Sequence, residues 1–440
     1  MRNKKRTLSL LLIMAIVMQM LAGCAAGKNE TQAAGTENAE KVIVADGGKT
    51  ELKWAVWSAD TQPYWEPIAK EYMSRNPNVS IEIIDLGATD YSTALATQLA
   101  GNKAPFDVVA IKDSASYISL ITKGVLMQLD DSKINKDSYG ETLDVLTWQD
   151  QYYTLPLRSD FYVMFYNKDV FDKAGVAYPT NDMTFEEYDA MVKSLTDTTF
   201  GTETYGTHYH TWNFCIQGMA AAGEDRNTLE GDYEYMKPYY DMVLEQQREK
   251  VCMDYSTLKT SGLHYTGAFG QGNIGTMLMG TWAIGTLITR INEGQYPDLQ
   301  EWAVASYPHK EGTESGSTLG NFVGMSVVKA SEHVEIAEDF VRFAGGEEGA
   351  KIVASKGYMP GAMSDDTLEV VFSVPGFPAD EQSKEAILNV KKIYLETPIG
   401  ENCVEVDQIL TTGHDYIMTG VMTSDEGISY MNEEFTKLKK

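Results

Sequence analysis

The chain has 440 residues, 43% hydrophobic and 22% charged, enough for two globular domains at the usual size of roughly 100–200 residues each. Its formal net charge of -27 argues against nucleic acid as a partner, because phosphate backbones are held by Lys and Arg clusters and none occurs beyond the first residues. An acidic surface is also repelled by anionic lipid, so membrane contact has to come from something other than surface charge.

Arg2, Lys4, Lys5 and Arg6 make a positive start, followed by an apolar run from Leu8 to Leu21. The run is shorter than the about 20 apolar residues of a transmembrane helix, and residues 1–23 read as a secretory signal peptide. Leu21-Ala22-Gly23-Cys24 then resembles the lipobox of bacterial lipoproteins. That resemblance implies that Cys24 receives a diacylglycerol, becomes the mature N-terminus and anchors the chain to the cell membrane, facing outside the cytoplasm. Residues 25–48 are mostly Ala, Gly, Thr, Asn, Glu and Lys, too polar to offset chain entropy, and read as a flexible tether.

From Leu52 the pattern is globular. Leu52 to Trp57 reads as a buried strand; Trp65, Ile68, Ala69, Tyr72 and Met73 recur at helical spacing, ending near Asn76-Pro77. Val79, Ile81 and Ile83 alternate as a strand, 91–100 is a helix, and Asp107 to Ile111 is another apolar strand. Strands alternating with helices predict a parallel α/β sheet. Farther on, Thr184-x-x-Glu187 is a capping box, and Ser331 is placed to cap a helix whose inner face is Val334, Ala337, Phe340, Val341 and Ala344. Cys215, Cys252 and Cys403 form no disulfide framework; buried free thiols are the simpler reading, a single bridge the other.

Ligands of open α/β sheets collect at the carboxyl ends of strands. Trp57 and Asp60 follow the first strand, Asp113 follows the 107–111 strand, and Arg158-Ser159-Asp160 lies between two apolar segments. Carboxylates and an indole at converging loops suit a polar, uncharged ligand. Gly270-x-Gly272-x-x-Gly275, with Glu293 beyond it, fits a dinucleotide fingerprint, but the apolar, Gly-interrupted Thr276–Gly280 that follows suits a strand rather than a phosphate-capping helix. His208-x-His210 lacks a third metal ligand at suggestive spacing, so no metal or cofactor is expected.

Several segments, in order, carry a resemblance: Phe106-Asp107-Val108-Val109, Gly124-Val125-Leu126, Tyr153-Thr154-Leu155-Pro156, Phe165-Tyr166-Asn167-Lys168-Asp169-Val170-Phe171, Met279-Gly280-Thr281-Trp282 and Gly357-Tyr358-Met359-Pro360. Over nearly all of 49–440 the chain resembles the extracellular solute-binding proteins of carbohydrate ABC importers, the maltose-binding-protein-like family. The resemblance implies an α/β, two-lobed periplasmic-binding-protein-like fold with a hinge between the lobes. It maps lobe 1 to 49–160 plus 325–358, lobe 2 to 166–322 plus 365–440, and hinge crossings near Asp160, Phe322 and Pro360. It implies a monomer that binds a carbohydrate and hands it to ABC permease subunits in the membrane, without catalysis or cofactor.

By the same resemblance Asp160, Asp113 and Asp60 are acidic sugar ligands, and Trp282, Trp57 and Trp212 are stacking surfaces; Arg158 joins them by position alone. Acids accept strong bonds from sugar hydroxyls, and an indole covers the apolar sugar face. A second reading stands for each: Asp160 as a solvated strand end, Asp113 and Asp60 as turn or helix caps, the three Trp as core, Arg158 as an internal partner of Asp160. Two other functions also stand against the resemblance. Paired Asp at the separation of about 5–10 Å would make a secreted glycoside hydrolase; a Tyr or His cluster would make a metal- or iron-uptake binding protein, and there are 25 Tyr.

Overall fold

The computed structural model describes residues 41–43 and 50–440 apart from 88, 102–104, 200 and 202. The signal peptide, Cys24 and most of the expected tether lie outside the described residues. Within that tether, Lys41–Ile43 is a strand, β1, paired antiparallel with Val79–Asp85.

Ten strands form the sheet among the described residues: β1, β2 (Thr50–Val56), β3 (Val79–Asp85), β4 (Val108–Ile111), β5 (Leu155–Asn167), β6 (Tyr205–His208), β7 (Ile274–Gly280), β8 (Trp302–Ala305), β9 (Ser317–Val327) and β10 (Lys392–Leu395). Their order is β1-β3-β2-β4-β9-β5-β7-β6, with β10 beside β9 and β8 beside β5. The sheet is mixed, not parallel as the strand–helix alternation predicts. β2 runs parallel to β3 and β4, but β9 runs antiparallel to β4 and β5, and β5 antiparallel to β7 and β8. Hydrophobic alternation marks a strand without giving its direction, and here the two long strands β5 and β9 run antiparallel to each other, with only the short β10 parallel to β9.

β5 is buried along all 13 residues, straight through Arg158-Ser159-Asp160, with one register shift at Pro156, where no ladder N–H is available. The cores change over along β5 and β9. One apolar core takes residues from Leu52 to Leu157 and from Phe322 to Ala362. Two others, from Phe161 or Tyr162 onward, fill the opposite lobe and take Leu319 from β9 and Met359 from the 357–360 turn. Residues one to four positions apart thus serve different cores at Leu157/Phe161, Leu319/Phe322 and Tyr358/Met359. Cys403, late in the chain, packs back into the first core.

Local rules hold where side chains act alone. The helix Trp65–Arg75 stops at Asn76, and Thr184 and Glu187 cap Phe185–Leu195 reciprocally. Ser331 does not cap the helix Val334–Gly345; His333 holds that position, and the Ser331 hydroxyl accepts the His333 N–H at 3.0 Å while donating to Asp107 at 2.5 Å. Gly270–Gly275 leads into β7, a fully buried strand. Cys215, Cys252 and Cys403 are all buried free thiols.

Candidate functional site

β5 and β9 lie side by side where the cores change over, with Asp160 opposite Asn321 and Ser159 opposite Phe322. Here a cavity of about 620 Å³ opens between residues of the first core and residues of the other lobe. Trp57, Asp60, Arg158, Asp160, Trp212 and Trp282 all line it, so residues spread over more than half the chain come together. Asp113 is not among the lining residues. Its carboxylate accepts the Ser116 N–H at 2.7 Å and the Ser92 hydroxyl at 2.6 Å, which makes it the N-cap of the helix Ser114–Thr122.

The floor is an ion pair. Arg158 and Asp160 are 4% and 3% exposed, with Nη2 to Oδ2 at 2.7 Å. The second Asp160 oxygen accepts from Thr281 Oγ1 at 3.1 Å, and Arg158 Nη1 donates to the Tyr64 hydroxyl at 2.9 Å. The guanidinium also lies 4.6 Å from the Tyr358 ring centroid. Burial pushes the Asp160 carboxyl up, against the pull of Arg158. Asp160 therefore reaches the cavity with its oxygens already engaged, and the sequence reading of Arg158 as its internal partner is the one the geometry matches.

The walls are aromatic. Trp282 and Trp212 stand 6.5 Å apart by ring centroids at 63°, and Tyr265 sits 5.6 Å from Trp212. Trp282 packs edge-on against Tyr162 at 5.4 Å. Its placement follows from the Gly-x-Trp pattern: a Cβ on Gly280 would lie 2.2 Å from the indole, so only glycine lets the ring fold back over the end of β7. Thr281 between them leaves its helix uncapped and gives its hydroxyl to Asp160 instead. Both indoles are partly exposed to the cavity, which suits a flat apolar platform rather than core. Trp57 is 6% exposed and packs on Trp65 at 5.3 Å, so it is mainly core with an edge on the cavity. Asp60 is exposed at the rim, in the turn closed by Thr61 and Gln62 N–H groups on the Ser58 carbonyl.

Behind Trp212 lies a histidine group. His210 contacts Trp212 at 4.4 Å and His264 at 5.7 Å, and His208 is 6.2 Å from His210. Burial, helped by the neighbouring rings, lowers His208 to about 3 and His210 to about 4, so both are neutral. Among the described residues, no three His, Cys, Asp or Glu side chains are placed to hold a metal ion.

Sequence reasoning missed Asn321 and, behind it, Glu396, which lines a separate cavity. Asn321 lines the cavity from the middle of β9, between Gly320 and Phe322. Glu396 follows β10 directly, where the rule applied to the earlier strands also points. Its carboxyl accepts from the Tyr162 hydroxyl and from Asn321 Nδ2, each at 2.7 Å. Burial raises it to about 8, with Asp160, Asp113 and Asp407 adding to the rise.

A family model described as bacterial extracellular solute-binding protein matches residues 57–351. The fold superposes on a sugar transporter of Rhizobium etli in an open conformation with a TM-score of 0.80, at 38% identity, over 88% of this chain and 99% of that one. An ABC substrate-binding protein of Listeria monocytogenes in complex with cycloalternan superposes at 0.73 and 22% identity, covering 89% and 99%. The arabinooligosaccharide-binding protein of Bacillus subtilis is 26% identical over 372 residues, 79% of this chain and 78% of its own. Each of these shares the two-lobed architecture or the sequence of a solute receptor, and the chain belongs to the bacterial extracellular solute-binding proteins.

Proposed function

We propose that this chain is the carbohydrate receptor of an ABC importer, holding a sugar or oligosaccharide in the cleft between its lobes and passing it unchanged to the permease. The observation that carries this reading is the cavity itself. Partly exposed indoles of Trp212 and Trp282 form one wall, and the floor offers polar groups already fixed by the chain. A sugar has an apolar C–H face and a hydroxylated rim, and both find partners there. Relatives named for arabinooligosaccharide and lactose support the same class of ligand. Trp57, Asp60, Arg158, Asp160, Trp212 and Trp282 surround the sugar, with Asp160 and Arg158 acting as the fixed floor and Asp60 as a rim group. Asp113 serves as a helix cap at the cleft edge.

In this reading Cys24 carries a lipid and 25–40 tethers a monomeric receptor to the outer face of the membrane. The lobes correspond to 49–160 plus 325–358 and to 166–322 plus 365–440, rotating about the crossings near Asp160, Phe322 and Pro360. The receptor is not an enzyme. The test is a thermal-shift screen of the full-length chain against arabinotriose, lactose, mannobiose and D-mannitol. At least one should raise the melting temperature by mass action and be recovered intact by chromatography. No shift with any of them overturns the carbohydrate reading; shortened products overturn the receptor reading in favour of hydrolysis.

A further inference from the structure

The helix Trp282–Asn292 turns its two sides to different surroundings. Ala283, Ile284, Leu287 and Ile288 are buried in the core of their lobe. Trp282, Thr286, Thr289, Arg290 and, just past the helix end, Glu293 all line the cleft. At about 100° per residue these five positions fall within an arc of about 100°, so they make one stripe. At about 1.5 Å per residue the stripe runs about 16 Å from Trp282 to Glu293. The aromatic floor is therefore one end of a longer trough.

The facing wall is the turn 58–63 of the other lobe, and the chain holds it in place. Ser58 takes a left-handed backbone (φ 49°), and the Asp85 carboxylate accepts the Ala59 N–H at 2.7 Å. The turn continues into Tyr64, whose ring lies 5.4 Å from that of Tyr358. Tyr358 packs in turn on Gly285 of the helix, where a Cβ would come within 2.7 Å of its ring. Turn and helix thus stand across the trough, with Tyr358 between them on the floor. Two polar atoms of the trough lack partners: Gln62 Oε1 and Arg158 Nε are buried and make no hydrogen bond among the described residues. A ligand rich in hydroxyls supplies a donor to the one and an acceptor to the other. The Thr286 and Thr289 hydroxyls donate to Trp282 O at 3.4 Å and Gly285 O at 2.9 Å, which leaves their oxygens to accept.

Resting on the carbohydrate reading above, we propose that this trough makes the receptor selective for an extended oligosaccharide of about three units over a single sugar. One unit sits at the Trp282 end, and the next two lie along Thr286, Thr289 and Arg290, opposite Gln62. With single bonds of about 1.5 Å, a sugar ring and its linking oxygen span about 5 Å, so the stripe takes about three. Arg290 and Glu293 lie 3.6 Å apart as an ion pair, so the far end is balanced in charge and suits a hydroxylated end rather than an acidic one. The distal units gain hydrogen bonds from side chains on a fixed helix and a fixed turn, at little ordering cost.

The test titrates the full-length chain by calorimetry with two ladders, arabinose to arabinotetraose and mannose to mannotetraose, and with lactose and D-mannitol. In the ladder that binds, affinity should rise about tenfold or more from the single sugar to the trimer, and less than about threefold from trimer to tetramer. Arg290→Ala, a half-exposed position in the last helical turn, and Gln62→Ala should each lower trimer affinity about fivefold, moving the trimer-to-single-sugar ratio toward one. Trp282→Ala should weaken every rung alike. Binding of D-mannitol, lactose or a single sugar as tight as that of any trimer overturns the proposal, as does a wild-type ratio in both Arg290→Ala and Gln62→Ala. A wild type that takes no rung, no lactose and no D-mannitol instead overturns the carbohydrate reading on which it rests.

Discussion

At the scale of single residues, the cleft floor couples binding geometry to stability through charge. Asp160 is the only carboxylate bonded to Arg158 among the described residues, and both are buried. Removing one member of such a pair strands the other, at a cost of about 3–5 kcal/mol. Asp160→Ala is therefore expected to lower stability in urea denaturation by that order even without sugar, and Asp160→Asn by less, because an amide oxygen still accepts from the guanidinium. His208 makes a second, pH-dependent case. It is fully buried, neither ring nitrogen has a hydrogen-bond partner among the described residues, and its folded value is about 3 against an ordinary 6.5. Between those values the unfolded chain binds more protons, so the stability present above 6.5 is lost as pH falls, by up to about 1.4 kcal/mol per unit. Glu396 works in the opposite sense: its folded value lies above the ordinary 4.5, so between 4.5 and about 8 stability rises as pH falls. Comparing variants separates the two. His208→Leu removes a ring whose nitrogens lack partners; it should keep or gain stability near pH 7 and show a shallower loss toward about pH 5 than wild type in matched denaturant titrations.

At the scale of elements, the end of β7 sets the aromatic wall. A methyl group on Gly280 meets the Trp282 ring at 2.2–2.4 Å, so Gly280→Ala must push the indole off the strand end. Sugar affinity should drop about tenfold with a change in tryptophan fluorescence, while the far-ultraviolet dichroism stays that of the wild type. Trp282 was legible in the sequence only through the family resemblance of Met279-Gly280-Thr281-Trp282, with core packing as its other reading. The continuity of β5 was not. Arg158-Ser159-Asp160 interrupts an apolar pattern, and only tertiary partners (Tyr64, Thr281, Thr142) satisfy those groups inside a strand. Asp113 shows a different limit: an acid between a strand and a helix suits either a ligand or a cap, and the choice is made by Ser92, 21 residues away. Glu396 went unnoticed because β10 is four residues long, too short for its period to stand out.

At the scale of the whole molecule, two-lobed architecture was legible because motifs fell in family order along nearly the entire chain, while sheet direction was not. Lobe membership depends on contacts that skip 150 residues or more, as when Thr154 meets Met325. Two antiparallel strands and the 357–360 turn join cores that otherwise share few side chains, a layout suited to rotation of one lobe against the other. Binding of a sugar that raises the melting temperature should therefore reduce the radius of gyration in solution scattering. An unchanged profile at saturating sugar would mean that the cleft does not close.

The three thiols give each half of the molecule its own reporter. Cys403 belongs to the first core and Cys252 to the second, and burial holds both in the unreactive, protonated form. Alkylation can proceed only after local opening, so mass spectrometry of labelled peptides along a denaturant series would time the loosening of one lobe against the other. Because no described cysteine is cross-linked, a chain that matures outside the cytoplasm would need no oxidising partner to fold, and reductants should leave its melting curve where it was.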